Sequence, residues 1–282
     1  MLSGTTAHGN RGTMGSIGRA GSTIAVVAGV ALLSGCIATA EAPESSAPPG
    51  GDAAALPVGD EPVTLDPGEF TTEIDNPYWP MEPGTQWVYR ETDPDGDLTV
   101  RVTVTSATKQ VANGIEARVV RDTVTRGDEL VEDTFDWYAQ DANGAIWYLG
   151  EQTAEFEGGE MVSTEGSFEA GVDGALPGVA LPADPQPGMA YRQEYLEGEA
   201  EDAGAVLGVE ELVEVPYGAS EGALLTRDTT PLEPDVEELK FYATGVGPVL
   251  TLAVSGGAGR EELLEVRTVP EGTGTGPLGS PE

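Results

Sequence analysis

The side chains that most often perform chemistry are missing from nearly all of this chain. Its one histidine, His8, and its one cysteine, Cys36, both fall within the first 36 residues. The sequence after them therefore excludes Ser-His and Cys-His nucleophile pairs and metal sites built from imidazole or thiolate. The chemistry that remains belongs to carboxylate, hydroxyl, lysine, arginine and tyrosine groups.

Carboxylates are the most abundant of these groups. The chain has 49 Asp and Glu residues against 13 Lys and Arg residues, which gives a formal net charge of −36. Two carboxyl groups at a suitable separation suffice for glycoside hydrolysis, but with so many acids almost any fold brings some pair together. We therefore expect a protein that is not an enzyme, and a carboxylate-pair hydrolase is the catalytic alternative. The negative charge also excludes nucleic acid as an expected partner, because phosphate would be repelled.

Three acids alternate along one short segment. Asp93, Asp95 and Asp97 present oxygens of the kind that a hard cation such as calcium prefers. The glutamate that would complete a hand-type calcium loop at its twelfth position is replaced here by Val104. A Pro-Asp-Gly hairpin turn accounts for the same residues. The sequence thus predicts a simple turn and no cofactor, with calcium as the alternative.

Aromatic side chains form the second candidate site. Rings can line a pocket for an apolar or amphiphilic small molecule, and the candidate lining residues are Trp87, Tyr89, Trp137, Trp147 and Tyr148. Core packing and cross-strand pairing would use the same rings. The pattern leaves both interpretations open.

The first residues of the chain are typical of a leader. A ten-residue apolar run over 24–33 follows Arg11 and Arg19 and precedes two small residues. Because a membrane-spanning helix takes about 20 apolar residues, a signal segment is favoured over a permanent anchor. The Leu-Ser-Gly-Cys run ending at Cys36 resembles the bacterial lipoprotein signal, which implies removal of residues 1–35 and acylation of that cysteine.

The same resemblance implies a location. A lipid on Cys36 would hold the protein on the extracytoplasmic face of the cell membrane, and the lipid would be its contact with the bilayer. Ile37 is not the acidic residue that resembles a retention signal in two-membrane bacteria. An outer-membrane destination is therefore left open.

Composition divides the remainder into three parts. Residues 36–70 are rich in Pro, Ala, Ser and acid and poor in large apolar groups, which predicts a disordered acidic tether. Residues 71–270 are long enough for one sizeable core, and residues 271–282 are rich in glycine and predict a disordered tail.

Apolar residues of the central part alternate, as in strands. Val100, Val102 and Val104 would share a dry face of one strand, while Thr103 and Thr105 would share a wet face. Turn residues recur between such segments, which predicts successive hairpins and antiparallel pairing. Residues 171–188 contain four prolines and predict a crossing loop. The sequence thus predicts an all-β fold: a single strongly curved antiparallel meander of about eleven strands, forming a half-barrel or barrel.

Two segments, one near each end of residues 71–270, resemble segments of known proteins. Residues 76–89, with Pro83-Gly84 before a Trp-x-Tyr strand, and residues 241–249, with Gly245-Val246-Gly247, resemble the opening and closing signatures of uncharacterised exported β-sheet proteins of bacteria. More remotely, a long meander in a lipoprotein resembles the half-barrel carriers of lipoprotein sorting, and this likeness is architectural only. The likeness to these carriers implies binding of an apolar or amphiphilic ligand within the sheet. A structural or protein-interaction role in the envelope is the alternative.

Overall fold

The computed structural model describes residues 56–94, 96–256 and 259–280. Within them, one short 3-10 helix, Pro67–Glu69, precedes sixteen strands. The strands are β1 Phe70–Thr71, β2 Thr85–Asp93, β3 Gly96–Gln110, β4 Glu116–Arg126, β5 Glu129–Asp141, β6 Ile146–Glu157, β7 Glu160–Ser163, β8 Phe168–Glu169, β9 Leu176–Leu181, β10 Ala190–Arg192, β11 Glu194–Tyr195, β12 Ala203–Val215, β13 Gly218–Thr229, β14 Glu237–Ala243, β15 Gly247–Ser255 and β16 Arg260–Thr268.

The strands form one antiparallel sheet, as the sequence predicts. Thirteen of the described strands follow one another across it in the order β10-β12-β13-β14-β15-β16-β2-β3-β4-β5-β6-β9-β11. Consecutive hairpins supply most of the pairs, and the long-range pair joins β16 to β2. The prediction of an all-β curved meander is confirmed, with somewhat more strands than the expected eleven.

The two edges of the sheet meet on one short segment. Within residues 190–195, β10 pairs with β12 at one edge, and β11 pairs with β9 at the other. Arg192 donates from Nε and Nη2 to the Pro177 carbonyl oxygen at 3.2 and 2.8 Å across this junction. The sheet is therefore nearly closed into a barrel, which leaves few unpaired backbone groups at its edges.

Residues 171–188 differ from the predicted loop, because they contain β9. Two of the four prolines lie at or beside its ends: Pro177 faces β11, and Pro182 directly follows Leu181. Pro185 and Pro187 lie in the loop that follows β9. Since proline lacks an N–H but keeps its carbonyl group, it is compatible with such positions in a short strand.

The ends of the described chain also differ from the predicted disordered segments. Residues 56–70 lie against the barrel, where Arg192 Nη1 donates to the carbonyl oxygens of Gly59 and Glu61. Residues 271–280 lie against β3, β4 and β5. Gly279 N donates to Asp133 Oδ2 at 2.7 Å.

A second difference from the prediction is that a face of the sheet expected to be wet is buried, because the C-terminal segment covers it. Thr103 and Thr105, on the face expected to be wet, are 5% and 1% exposed. Gly274 packs beside both side chains and beside Arg121. One side of this part of the sheet faces the barrel interior and the other is covered by the tail, so both sides are dry.

Candidate ligand-binding cavity

The barrel contains a partly open cavity of about 320 Å³. Its lining combines aromatic rings, aliphatic groups and many carboxylates. The aromatic lining residues are Trp79, Tyr89, Tyr138, Tyr148 and Tyr242, and the acidic ones are Glu91, Asp122, Glu132, Asp136, Glu151, Glu155, Glu165, Glu194, Asp202, Glu238 and Glu261. Lys240 and Arg260 are the basic lining residues within the described part of the chain.

The rings form a continuous row. Tyr242 lies 6.0 Å from Trp79, Trp79 lies 5.4 Å from Tyr138, and Tyr138 stacks on Tyr148 at 4.9 Å between ring centroids. Tyr148 in turn meets the edge of Phe168 at 5.4 Å. Such a row offers flat apolar faces to a ligand while the phenol groups remain able to form hydrogen bonds.

Trp79 reaches this row from a loop between β1 and β2. The buried side chain of Asn76 fixes the loop: its Nδ2 donates to the carbonyl oxygens of Gly144 and Pro182, and its Oδ1 accepts from Tyr78 N. Gln140 Oε1 accepts from the backbone N–H of Asn76 at 2.9 Å. These bonds tie the loop to the start of β6 and the end of β9.

The two segments that resemble exported β-sheet proteins, residues 76–89 and 241–249, contact each other beside the cavity. Gly245 N donates to the Pro77 carbonyl oxygen at 2.7 Å, and Trp87 Nε1 donates to the Val246 carbonyl oxygen at 2.7 Å. Gly247, at φ +114°, leaves room for the rings of Trp79 and Trp87, which a Cβ atom would approach to 3.1–3.2 Å. The turn predicted from sequence at Gly245-Val246-Gly247 therefore also packs against Trp79 and Trp87.

A tyrosine bridges two carboxyl groups in the wall. Asp136 and Glu151 are cross-strand neighbours on β5 and β6. Tyr148 Oη lies 2.7 Å from Asp136 Oδ1 and 2.8 Å from Glu151 Oε2. A phenol has one proton to donate, so both contacts are hydrogen bonds only when one carboxyl group carries a proton. Removal from water raises the pKa of Asp136 to about 7, which is consistent with such sharing.

Other carboxyl groups in the cavity are also difficult to ionise. Burial, followed by repulsion from Asp202, raises the pKa of Glu194 well above its ordinary value. Burial likewise raises the pKa of Asp202 to about 7 and that of Glu238 to about 7. These raised pKa values predict that carboxyl groups lining the cavity are partly protonated near neutral pH.

Glu238 and Lys240 differ in how they are paired. Lys240 Nζ lies 2.8 Å from Asp228 Oδ2, an ion pair largely enclosed by the sheet. Glu238 is 4% exposed, and its Oε2 has no hydrogen-bond partner among the described residues. A buried carboxylate oxygen without a partner is costly, so Glu238 is held in the wall at a cost in stability.

The structure separates the predicted aromatic candidates into two groups. Tyr89 and Tyr148 line the cavity, and Trp87, 1% exposed, packs at its end. Trp137 and Trp147 alternate with inward-facing neighbours and so lie on the outer face of the sheet. Lys109 Nζ lies 4.1 Å above the Trp137 ring, and Trp147 packs against Phe70 and donates from Nε1 to Asp141.

The predicted calcium segment forms the β2–β3 hairpin. Asp93 pairs with Gly96, and Thr92 Oγ1 donates to Asp97 Oδ1 at 3.0 Å. Asp95 and the side chain of Asp93 are outside the described part of the chain, so calcium binding there stays a prediction. Elsewhere, the described residues contain no group of three or more acidic, histidine or cysteine side chains placed to hold a metal ion. Cys36 and the leader also lie outside the described residues.

Sequence reasoning missed the acids of the cavity because their signal is weak. Asp136 and Glu151 sit in strands where polar residues alternate with apolar ones, and such polar positions normally predict the solvent face. In this barrel the pattern is inverted over part of β5 and β6. The aromatic neighbours Tyr138 and Tyr148, two residues after Asp136 and three before Glu151, are the available clue.

Among the described residues, no helix has the length and apolar character needed to cross a membrane. The chain matches no protein-family model and no curated protein.

Solved structures give two similarities. An exported protein with a YmcC-like fold, as it is described, from Bacteroides fragilis is 14% identical with a TM-score of 0.42, over 68% of this chain and 99% of that chain. A protein of Parabacteroides distasonis described as a lipoprotein is 12% identical with a TM-score of 0.37, over 67% of this chain and 98% of that one.

Proposed function

We propose that this chain is a cell-envelope lipoprotein, anchored through a lipid on Cys36, whose barrel binds a small amphiphilic ligand without catalysis. The observation that carries the proposal is the cavity of about 320 Å³ inside the barrel. Small-molecule sites begin at roughly 300 Å³ and combine apolar walls with a few polar groups. The lipoprotein signal in the sequence supports the location.

The residues that line the cavity narrow the class of ligand that the sequence suggested. A purely apolar molecule would supply no partner for Glu238 Oε2, which has none among the described residues, and a buried carboxyl oxygen without a partner costs free energy. A ligand with a flat apolar part would instead stack on Trp79 and Tyr138 and place its polar part among the acids. The amphiphilic class is therefore favoured over the apolar one.

Native mass spectrometry of the mature protein from its own host, before and after solvent extraction, tests the proposal. We expect a bound mass that extraction removes. Val102→Phe should lower occupancy because it places a ring in the cavity wall. Val162→Phe is the matched control, since Val162 is 50% exposed. An empty protein that also takes up no fluorescent amphiphile would favour the structural or protein-interaction role instead.

A carboxylate-pair hydrolase is a second candidate, favoured by one observation. Asp136 and Glu151 both lie within 3 Å of the same Tyr148 oxygen, and retaining glycosidases use carboxyl groups roughly 5–5.5 Å apart. A panel of aryl glycosides, assayed with the wild-type protein and with Glu151→Gln, would test it. Turnover that disappears in the variant would establish the hydrolase and overturn the binding role.

A further inference from the structure

The ionisable groups that line the cavity indicate which class of ligand it would prefer. Acids lie on strands all around its wall, from β2 with Glu91 to β14 with Glu238. The basic group nearest to Glu238 in sequence, Lys240, is already engaged with Asp228 at 2.8 Å. The interior therefore contains many more acidic groups than basic ones.

One acid is placed to receive a hydrogen-bond donor. Glu238 lines the cavity, is 4% exposed, and has one oxygen without a partner among the described residues. Its neighbour across β13 is Asp228, and its neighbour across β15 is Ala253. The Asp228 carboxylate accepts from Lys240, and the methyl group of Ala253 has no donor, so neither cross-strand neighbour satisfies the Glu238 oxygen.

The aromatic row supplies the complementary half of the site. Trp79 and Tyr242 lie 6.0 Å apart, and both line the cavity with Glu238. Faces of Trp and Tyr rings attract ammonium groups as well as apolar surface. Carboxylate and ring faces together are the elements from which sites for organic cations are built.

We propose that the cavity binds an organic cation, a protonated amine carried on a small apolar or aromatic body, with Glu238 as the carboxylate that receives the ammonium group. This inference rests on the proposed ligand-binding function and names its ligand class. The ammonium group donates to the unpaired Glu238 oxygen, and the apolar body lies against the rings of Trp79 and Tyr138.

Proton release follows from this arrangement. Burial, opposed by the charge of Lys240 and assisted by repulsion from Asp228 and Glu91, raises the pKa of Glu238 to about 7. A bound ammonium group favours the ionised carboxylate, so binding near pH 7 expels a proton. Affinity then increases by about tenfold from pH 6 to pH 8, because the amine stays protonated throughout while Glu238 loses its proton.

The experiment is titration calorimetry of the mature chain with three matched probes: 2-phenylethylamine, 2-phenylethanol and 3-phenylpropionate. We expect the amine to bind and the alcohol and acid to bind at least tenfold more weakly. Measurements in buffers of different ionisation enthalpy should show proton release at pH 7 in the wild-type protein. Glu238→Gln keeps the shape and should lower amine affinity by about tenfold to a hundredfold. The exposed Glu210→Gln is the matched control and should bind as the wild type does.

The outcomes separate the two proposals. Equal binding of all three probes overturns the cation assignment and leaves the ligand-binding function standing. No binding of any probe, together with a solvent-extractable native ligand, also overturns the cation assignment alone. No binding together with an empty native protein overturns both. Amine binding that is unchanged in Glu238→Gln and releases no proton overturns the role of Glu238.

Discussion

Glu238 and Arg121 bury their charges in opposite ways. Every N–H of the Arg121 guanidinium has an acceptor: two oxygens of Asp133 at 2.8 and 2.5 Å, and the carbonyl oxygens of Gly274, Gly276 and Pro277 at 3.0–3.2 Å. Glu238 lacks a partner for one oxygen. The first arrangement holds a structural segment in place, and the second leaves a buried oxygen without a partner at a cost in stability.

Raised carboxyl pKa values predict lower stability at higher pH. Asp136, Asp202 and Glu238 have folded pKa values of about 7, against ordinary values of 3.8 for Asp and 4.5 for Glu. Between these limits the folded protein holds protons that the unfolded chain has released, so the free energy of unfolding decreases as pH rises from about 4 to 7. Urea unfolding at pH 5 and pH 8 measures this. Glu238→Gln should reduce the difference, and an unchanged difference would contradict the assignment.

Removing the Arg121 charge should be strongly destabilising. Arg121→Met leaves Asp133, 0% exposed, without its ion-pair partner, and breaking a buried pair costs about 3–5 kcal/mol. Arg90→Met is the control: Arg90, whose side chain is 43% exposed, pairs with Glu262, and such a pair is worth at most about 1 kcal/mol. Urea midpoints of the two variants provide the comparison.

A truncation tests whether the tail shares this energy. In a chain ending at residue 270, Arg121 loses three carbonyl acceptors and regains water, so the cost of Arg121→Met should be smaller there than in the full chain. Equal costs in both backgrounds would show that the tail contributes nothing to this site.

At the level of elements, closure of the barrel depends on a glycine in β9. This residue has no side chain at the point where β9 contacts residues 190–195. Gly178 on β9 lies directly against the backbone of Arg192 and Gln193. A Cβ atom there would overlap the Gln193 carbonyl group. This close approach, more than the extent of pairing, allows residues 190–195 to join both edges of the sheet.

Gly178→Ala should therefore open the closure. We expect a loss of about 1–3 kcal/mol or more, since the backbone of the partner segment must shift, together with faster amide hydrogen exchange at Leu176 and Tyr195. Gly259→Ala, whose Cβ would meet its nearest atom at 4.0 Å, is the control and should unfold like the wild type. Equal exchange in the two variants would contradict this role.

Local pattern predicts the hairpins well, because each depends on neighbouring residues. The Asn113-Gly114 and Gly158-Gly159 turns and the alternation in β3 suffice for that part of the fold. Closure by β9 depends on a contact between Gly178 and Gln193, which no local pattern encodes. Trp79 is placed by Asn76, Gln140 and the distant Pro182 carbonyl group, so the composition of the site is also a long-range property.

For the molecule as a whole, the dominant property is charge. A formal net charge of −36 over 282 residues repels itself in the compact state. Surface carboxylates outside the cavity feel this repulsion through water, where it is screened within about 8 Å at physiological ionic strength.

Stability should therefore rise with salt. We expect the urea midpoint at pH 7.5 to increase between about 0.01 and 0.3 M sodium chloride, since the Debye length falls from about 30 Å to less than 8 Å. Sodium and potassium chloride should act alike if screening is the cause. A rise with sodium alone would instead indicate a specific cation site.

The pairing of β2 with β16 has a consequence for the way this protein is made. Arg90 and Glu262, bonded across these strands, are 172 residues apart in the chain. At a synthesis rate of about 5–20 residues per second, the β2 backbone waits on the order of 10–30 seconds for its partner. During that interval its free N–H and C=O groups form an open template for strand addition. A chain released toward the envelope from its N-terminus is thus most exposed to aggregation before its last strand emerges, and a holding chaperone would act on it in that interval.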